Sequence, residues 1–128
     1  MGESAKYISD LFNYSRRRTI AVKVGNIEIG GDNPIRIQSM ANTDTNDTKA
    51  SVEQALKIEQ AGGELVRFTA QGVKEATNLE AIRSELRKKG AKAPLVADIH
   101  FNPKAAEVAA LYVEKVRINP GNFVDRVH

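Results

Sequence analysis

The sequence predicts an α/β fold in which strands and helices alternate along the chain. Apolar, strand-like runs begin near Ile35, Leu65, Leu95 and Val116, so they recur about every thirty residues. One strand and one crossover helix need about that length, which favours a parallel sheet covered by helices. The 128 residues hold four such units, whereas a closed (βα)8 barrel has eight units in about 250 residues. We therefore predict the N-terminal half of a TIM-type (βα)8 barrel, preceded by a short helix and a β-hairpin.

An open, doubly wound sheet is the alternative to a barrel. Such sheets usually have a glycine-rich turn after the first strand. The predicted first strand covers residues 34–40, and residues 38–47, which end it and follow it, contain no glycine. The barrel is therefore the favoured architecture.

Two further elements are predicted ahead of the strand–helix units. Residues 4–14 have apolar side chains at helical spacing, so residues 1–18 are predicted to form a helical and basic extension. Residues 19–31 alternate apolar and polar side chains around a Gly-Asn pair at 25–26. This pattern predicts a β-hairpin, which would serve as a lid or a plug on the units that follow.

Local signals mark where the helices begin and end. Asp47 or Thr48 can cap the first helix, and the glycine pair at 62–63 can end it. Asn102 can cap a third helix over residues 103–113, because the proline after it is favoured as a first helical residue. The second helix has apolar residues at helical spacing and a terminal glycine: Leu79, Ile82, Leu86 and Gly90.

Composition excludes several kinds of site and partner. The chain has no cysteine, so it cannot supply thiolates to zinc or to an iron–sulfur cluster. The net charge of +3 fits a solvated basic surface or a basic pocket for an anion. The basic run at residues 16–18 lacks the other motifs of nucleic-acid binders, so we expect no nucleic-acid partner. Without a long apolar run or a signal-peptide pattern, we expect a cytoplasmic bacterial protein with no membrane partner.

Each predicted strand has polar residues at alternate positions near its C-terminal end. Alternate residues of a strand share a face, and the apolar faces must meet the helices. The polar faces therefore point into the barrel, whose active sites lie at the C-terminal ends of the strands. The polar pairs on these faces are Arg36 with Gln38, Arg67 with Thr69, Asp98 with His100, and Arg117 with Asn119.

Five of these side chains are predicted to meet at the mouth of the barrel. Asp98 and His100 are the catalytic candidates, and Arg67, His100, Arg117 and Asn119 are the ligand-binding candidates. Because the arginines outnumber the aspartate, a phosphorylated or di-anionic ligand would neutralise the excess positive charge. No metal ligands are predicted in this chain.

The same residues also have structural explanations. Arg67 and Asp98 could form an ion pair between neighbouring strands, and His100 could be a hydrogen-bonded core histidine. Arg36, at the bottom of the barrel, is expected to be structural. Residues 121–122 could offer backbone N–H groups to phosphate or could form only a turn. The functional interpretation depends on the agreement of four strands and not on any one residue.

Several long motifs resemble one enzyme family. "IQSMANTDTND", "ELVRFTA", "LVADIHFNP" and "KVRINPGN" resemble, in order and spacing, the N-terminal barrel of 4-hydroxy-3-methylbut-2-enyl diphosphate synthase. "VGNIEIGGDNPI" is similar to the hairpin that precedes the barrel in that family. The resemblance covers about residues 19–125 and implies that residues 19–128 are the N-terminal part of a substrate-binding TIM-barrel domain.

The resemblance implies an oxidoreductase of isoprenoid biosynthesis by the methylerythritol phosphate pathway. The family reductively converts 2-C-methyl-D-erythritol 2,4-cyclodiphosphate, with electrons from reduced ferredoxin or flavodoxin. Its barrel holds the diphosphate, and a separate domain carries a 4Fe–4S cluster bound by cysteines and a glutamate. In the homodimer, the cluster domain of one subunit caps the barrel of the other.

By the same resemblance, Arg67, His100, Arg117 and Asn119 fall on substrate-contacting positions, and Asp98 falls on a polar active-site position beside them. Because the cluster ligands are absent from this chain, the resemblance implies a fragment that binds no cluster and is inactive alone. Two alternatives are a pterin-binding transferase similar to dihydropteroate synthase and a non-enzymatic half-barrel that binds phosphate. A half-barrel has two open strand edges, so we expect this chain to form a homodimer.

Overall fold

The computed structural model describes residues 17–121, which form a β-hairpin followed by alternating strands and helices. The predicted α/β class is confirmed. The predicted helix at 4–14 lies outside the described residues, and so does the start, near residue 123, of the helix that belongs to the fourth predicted strand–helix unit. In chain order, the elements are β1 (Val22–Val24), β2 (Ile27–Ile29), β3 (Gln38–Met40), α1 (Thr48–Gln60), β4 (Leu65–Ala70), α2 (Val73–Lys88), β5 (Leu95–Ile99), α3 (Pro103–Ala109) and β6 (Lys115–Ile118).

The four strands after the hairpin form one parallel sheet in the order β3-β4-β5-β6. Strands that are consecutive in the sequence are neighbours in the sheet, and each of the three connections between them contains a helix. Consecutive parallel neighbours joined by helices are the arrangement of a (βα)8 barrel wall. The described sheet is consistent with part of such a barrel, as predicted.

The first strand of this sheet is shorter than predicted. A strand over residues 34–40 was expected, but pairing begins only at Gln38. Arg36 lies outside the sheet, where its Nε donates to the carbonyl oxygen of Glu28 at 2.9 Å. Its Nη1 also donates to Glu64 Oε2 at 2.9 Å. Arg36 therefore joins the hairpin to the start of β4, and its expected structural role fits these contacts.

The helix caps follow the local signals. Asp47 caps α1 by accepting a hydrogen bond from the N–H of Ala50, so Thr48 is the first helical residue and not the cap. Asn102 caps α3 by accepting from two backbone N–H groups. α3 ends at Ala109, four residues before the predicted end at residue 113, because the chain there turns back toward β6.

The core lies between the sheet and its helices. One face of β4 and β5 is apolar and packs on the inward residues of the helices. Phe68 and Ile99, on this face, have no exposed surface. The predicted apolar face is therefore confirmed. The helix residues packed against it include Val52, Ala55, Leu79, Ile82, Leu86, Ala105 and Ala109.

The hairpin is a plug at the bottom of the sheet and not a lid on its mouth. Val24 packs with Leu65 and Val96 in a second, smaller apolar cluster. These two strand residues lie near the N-terminal ends of β4 and β5 and share the face that carries Arg67 and Asp98. The hairpin therefore covers the end of the interior face that is opposite the polar residues.

Glu64 couples the stability of this region to pH. The Ile37 N–H, at 3.1 Å, and then the Arg36 guanidinium hold the pKa of the Glu64 carboxyl below its ordinary value of 4.5. Because folding lowers this pKa, the carboxylate stabilises the fold at pH values above its unfolded pKa. That contribution is lost as pH falls through the folded pKa. We expect Glu64→Gln to make stability less dependent on pH in the acid range, as measured by denaturant unfolding from about pH 6 to about pH 3.

The matched control is Glu80→Gln, since Glu80 is exposed on α2. The free energy of unfolding of the Glu80→Gln variant should fall with decreasing pH as it does in the unmodified chain. If the stability of Glu64→Gln fell equally steeply between about pH 6 and about pH 3, Glu64 would not be a source of the pH dependence.

Candidate functional site

The interior face of the sheet brings its polar side chains together at the C-terminal ends of the strands. Asp98 lies in the middle of this group, because the register pairs it with Thr69 on β4 and with Arg117 on β6. Residues paired across neighbouring strands point to the same face. The alternation predicted from the sequence therefore places Thr69, Asp98 and Arg117 in one row.

Asp98 is a buried carboxylate in contact with three nitrogen-bearing side chains. Its side chain is 4% exposed, and its Oδ1 accepts a hydrogen bond from Arg117 Nη1 at 2.9 Å. Its Oδ2 lies 3.4 Å from His100 Nε2 and 3.7 Å from Arg67 Nε. A buried carboxylate without such partners would be costly. Four of the five predicted site residues therefore form one cluster.

The cluster has more guanidinium groups than carboxylates. Two arginines face one aspartate, which leaves one positive charge before His100 is counted. Arg67 Nε is buried and has no hydrogen-bond partner within residues 17–121. The arginine side chains are 26% exposed at Arg67 and 39% exposed at Arg117, so both reach the open mouth. An anionic ligand would supply the missing acceptors.

These contacts distinguish the functional explanation of the site residues from the structural alternatives. Arg67 and Asp98 do form an ion pair, but 3.7 Å is too long for a hydrogen bond, and Arg117 is the closer partner of the carboxylate. The His100 side chain is 25% exposed, which disfavours a core histidine. The arrangement is that of a partly open charged site, and not of an isolated ion pair between strands.

Asn119 follows β6 and lies in a turn. Its Oδ1 accepts a hydrogen bond from the N–H of Gly121 at 2.9 Å, which confirms the turn predicted there. That N–H is therefore already engaged, and residue 122 lies outside the described chain. Between residues 17 and 121, Asn119 makes no hydrogen bond to the Asp98 cluster. Asn119 follows Arg117 by two residues, directly after the end of β6.

Phe101 has the one left-handed backbone among the non-glycine residues from 17 to 121, with φ of 59°. Such a conformation costs about 1–3 kcal/mol and often marks a functional turn. It lies between His100, whose ring centroid is 6.2 Å away, and Asn102, which caps α3. The turn directs His100 into the site and starts the helix. The sequence gives no signal for it, since phenylalanine rarely adopts this conformation.

A polar network behind the mouth was also missed from the sequence. Thr45 Oγ1 donates to the carbonyl oxygen of Thr69 at 2.7 Å, and Asn78 Nδ2 donates to the carbonyl oxygen of Thr45 at 2.8 Å. Ser51, fully buried on α1, donates to the carbonyl oxygen of Asp44 at 3.1 Å. The composition of this segment is rich in asparagine, aspartate and threonine. It could not reveal partners up to 33 residues away.

The donor set of this chain does not fit an iron–sulfur cluster. The sequence has no cysteine, and residues 17–121 hold no group of three or more histidine, aspartate or glutamate side chains placed to bind a metal ion. None of the helices in this range combines the length and the apolar character needed to cross a membrane.

Comparison with known proteins identifies the family. Residues 19–128 match the family described as the GcpE TIM-barrel domain. The chain belongs to this family. The match covers the hairpin, the parallel sheet and every residue of the Asp98 cluster, so the half-barrel derived from the sheet order is part of a GcpE barrel.

Several curated relatives of this GcpE barrel chain share the name "4-hydroxy-3-methylbut-2-en-1-yl diphosphate synthase (flavodoxin)". The protein from Bacteroides thetaiotaomicron is 66% identical over 116 residues, which are 91% of this chain and 19% of the relative. The Leptospira interrogans protein is 57% identical over 94% of this chain and 18% of its own length. The Akkermansia muciniphila protein is 56% identical over 95% of this chain and 21% of its own length. The chain thus spans about a fifth of the length of these relatives.

Proposed function

We propose that this chain is the N-terminal part of the substrate-binding barrel of a 4-hydroxy-3-methylbut-2-enyl diphosphate synthase. In this proposal the whole enzyme reductively converts 2-C-methyl-D-erythritol 2,4-cyclodiphosphate. The Asp98 cluster carries the proposal, because it presents two arginines to the mouth with only one carboxylate between them. A cyclic diphosphate has the charge and the oxygen acceptors that these guanidinium groups lack. The relatives are named as synthases of a diphosphate ester, which supports a diphosphate ligand.

Each residue of the cluster has a proposed role in holding the ligand. Arg67 and Arg117 bind diphosphate oxygens through the N–H groups that Asp98 does not occupy. His100, a quarter exposed beside the Asp98 carboxylate, donates to the ligand and is the candidate for a proton transfer. Asn119 contacts the ligand from the rim. Asp98 orients the His100 imidazole and the two guanidinium groups, because its two carboxylate oxygens face these three side chains.

The redox chemistry belongs to other parts of the enzyme in this proposal. The 4Fe–4S cluster and its ligands lie outside this chain, which alone is expected to be inactive. Reduced flavodoxin is the proposed electron donor, as the relatives' names suggest, and reduced ferredoxin is the other candidate. The whole enzyme is proposed to act as a homodimer. An anaerobic assay of the full-length gene product with each reduced donor decides between flavodoxin and ferredoxin.

Isothermal titration of the full-length gene product tests the substrate class. We expect binding of the cyclodiphosphate and, more weakly, of inorganic diphosphate. A pterin diphosphate should not bind, because a pterin site would need an acidic residue and a lysine in a different arrangement. Binding of the pterin diphosphate without the cyclodiphosphate would overturn the proposal in favour of a pterin-dependent transferase. Binding of inorganic diphosphate alone would favour a non-enzymatic phosphate-binding protein.

A further inference from the structure

The loop after β3 is attached to β4 by a side chain where the backbone ladder stops. The last backbone hydrogen bond between the β3 side and β4 runs from the Ala41 N–H to the carbonyl oxygen of Arg67 at 2.8 Å. Carbonyl groups of alternate residues in a strand point to the same edge, so the next acceptor on this edge of β4 is Thr69. The chain has left the sheet by then. The Thr45 hydroxyl takes the place of the missing backbone donor, at 2.7 Å from the Thr69 oxygen.

Thr45 is fixed on both sides. Its side chain is almost wholly buried, so water cannot readily replace its hydroxyl. Its own carbonyl oxygen accepts from Asn78 Nδ2 at 2.8 Å, and the same amide donates to Thr48 Oγ1 at 3.0 Å. The Thr45 hydroxyl thus holds the loop to β4, and the Thr45 carbonyl oxygen holds it to α2. Residues 41–47, between β3 and α1, form this rim loop.

The strand end that Thr45 holds is the one that carries the site. Thr69 follows Arg67 by two residues on the same face, and it is paired in register with Asp98. Any shift of the Thr69 carbonyl therefore changes how Arg67 faces Asp98 and the open mouth. The Arg67 guanidinium is weakly held by hydrogen bonds, since its Nε has no hydrogen-bond partner among the described residues and its Nη2 donates to the sulfur of Met40 at 3.4 Å.

We propose that Thr45 is a positioning residue for anion binding. Its hydroxyl clamps the rim loop to the end of β4, which keeps Arg67 aligned with the ligand and keeps the rim loop out of the mouth. This inference rests on the proposed function, because it assumes that Arg67 binds a diphosphate.

Paired substitutions at Thr45 in the full-length gene product test the inference, with inorganic diphosphate as the probe in isothermal titration. Thr45→Val keeps the side-chain shape and removes the hydroxyl, and it should weaken binding about five- to tenfold, the effect of one net hydrogen bond. Thr45→Ser restores the hydroxyl and should bind nearly as tightly as the unmodified protein. The matched control is Thr77→Val, because Thr77 Oγ1 also donates to a carbonyl oxygen at 2.7 Å, but within α2. It should leave the affinity unchanged.

A double-mutant cycle separates positioning from general stability. If Thr45 acts through Arg67, Thr45→Val should cost little further affinity in an Arg67→Ala background. Equal losses in both backgrounds, or normal binding by Thr45→Val, would overturn the inference while leaving the proposed function intact. If the unmodified protein did not bind diphosphate, the proposed function would fail and this inference would fail with it. If Thr45→Val does not fold, Asn78→Ala loosens the same rim loop from α2 and should weaken binding about twofold or more, whereas unchanged affinity would count against the clamp.

Discussion

Arg117→Ala is expected to weaken diphosphate binding by about ten- to a hundredfold in the full-length protein. A charge-assisted hydrogen bond to phosphate contributes about 1.5–3 kcal/mol, and each 1.4 kcal/mol is tenfold in affinity. Asp98 holds Arg117 Nη1 at 2.9 Å, so the guanidinium is already oriented before the ligand arrives. Arg117→Lys should recover only part of the loss, because a point charge replaces a planar fork. Isothermal titration with inorganic diphosphate and with the cyclodiphosphate measures both effects.

The matched control removes an arginine of equal charge from elsewhere on the molecule. Arg83 pairs with Glu114 at 3.1 Å, and its side chain is 46% exposed on α2. Arg83→Ala should not change the affinity for either ligand. If Arg117→Ala bound as tightly as the unmodified protein, the assignment of Arg117 to the site would be wrong. If both variants lost affinity equally, net charge and not the site would be the cause.

The composition of the site could be predicted because it follows from strand periodicity. Alternate residues share a face whatever the rest of the fold does, so Asp98 and His100 had to point the same way. The pairing within the site could not be predicted, because it depends on register. The sequence left Arg67 as a natural partner for Asp98, but the register places Arg117 directly beside it. A relative shift of the strands would have changed this choice without changing any residue.

Contacts of short sequence range were predicted better than contacts of long range. The Asp47 cap bonds to a residue three positions ahead, so the local pattern is sufficient. The bond from Thr45 to Thr69 spans 24 residues and forms because β3 ends at Met40, which leaves the Thr69 carbonyl without a backbone donor from β3. The predicted and observed strands both end at residue 40, but the local pattern does not show which acceptors of β4 remain unpaired beyond that point. The attachment of the rim loop to β4 therefore could not be predicted from the local sequence.

The hairpin illustrates the same limit. Its turn is specified locally by Gly25, whose φ is 58°, and its two strands were predicted correctly. Whether it is a lid or a plug depends on which apolar surface the sheet leaves uncovered. That surface is formed by Leu65 and Val96, the interior residues nearest the bottom of the sheet. Their burial requires a cover at the end opposite the charged cluster.

The 128-residue chain is expected to self-associate at micromolar concentration, and lysine substitutions at its strand edges should reverse this. Within residues 17–121, β3 pairs only with β4 and β6 pairs only with β5. Ile37, beside β3, is 59% exposed, and Ile118, on β6, is 44% exposed. Apolar edges with unpaired backbone groups favour pairing with a second copy, and a homodimer joined through them would cover both. Sedimentation equilibrium should give an average mass above the 14.0 kDa of the monomer.

A lysine at either edge acts against this pairing in two ways. It must lose hydration when the edge is covered, and across a two-fold axis it faces its own copy. Juxtaposed like charges cost several kcal/mol, so Ile37→Lys or Ile118→Lys should weaken the dimer by about a hundredfold or more. Leu111→Lys is the matched control, because Leu111 is 74% exposed on the turn after α3 and does not belong to an open strand edge. It should leave the dimer unchanged. A single 14.0 kDa species across the concentration range would show that the edges of the unmodified chain do not pair. If all three lysine variants dissociated equally, net charge and not edge pairing would govern association.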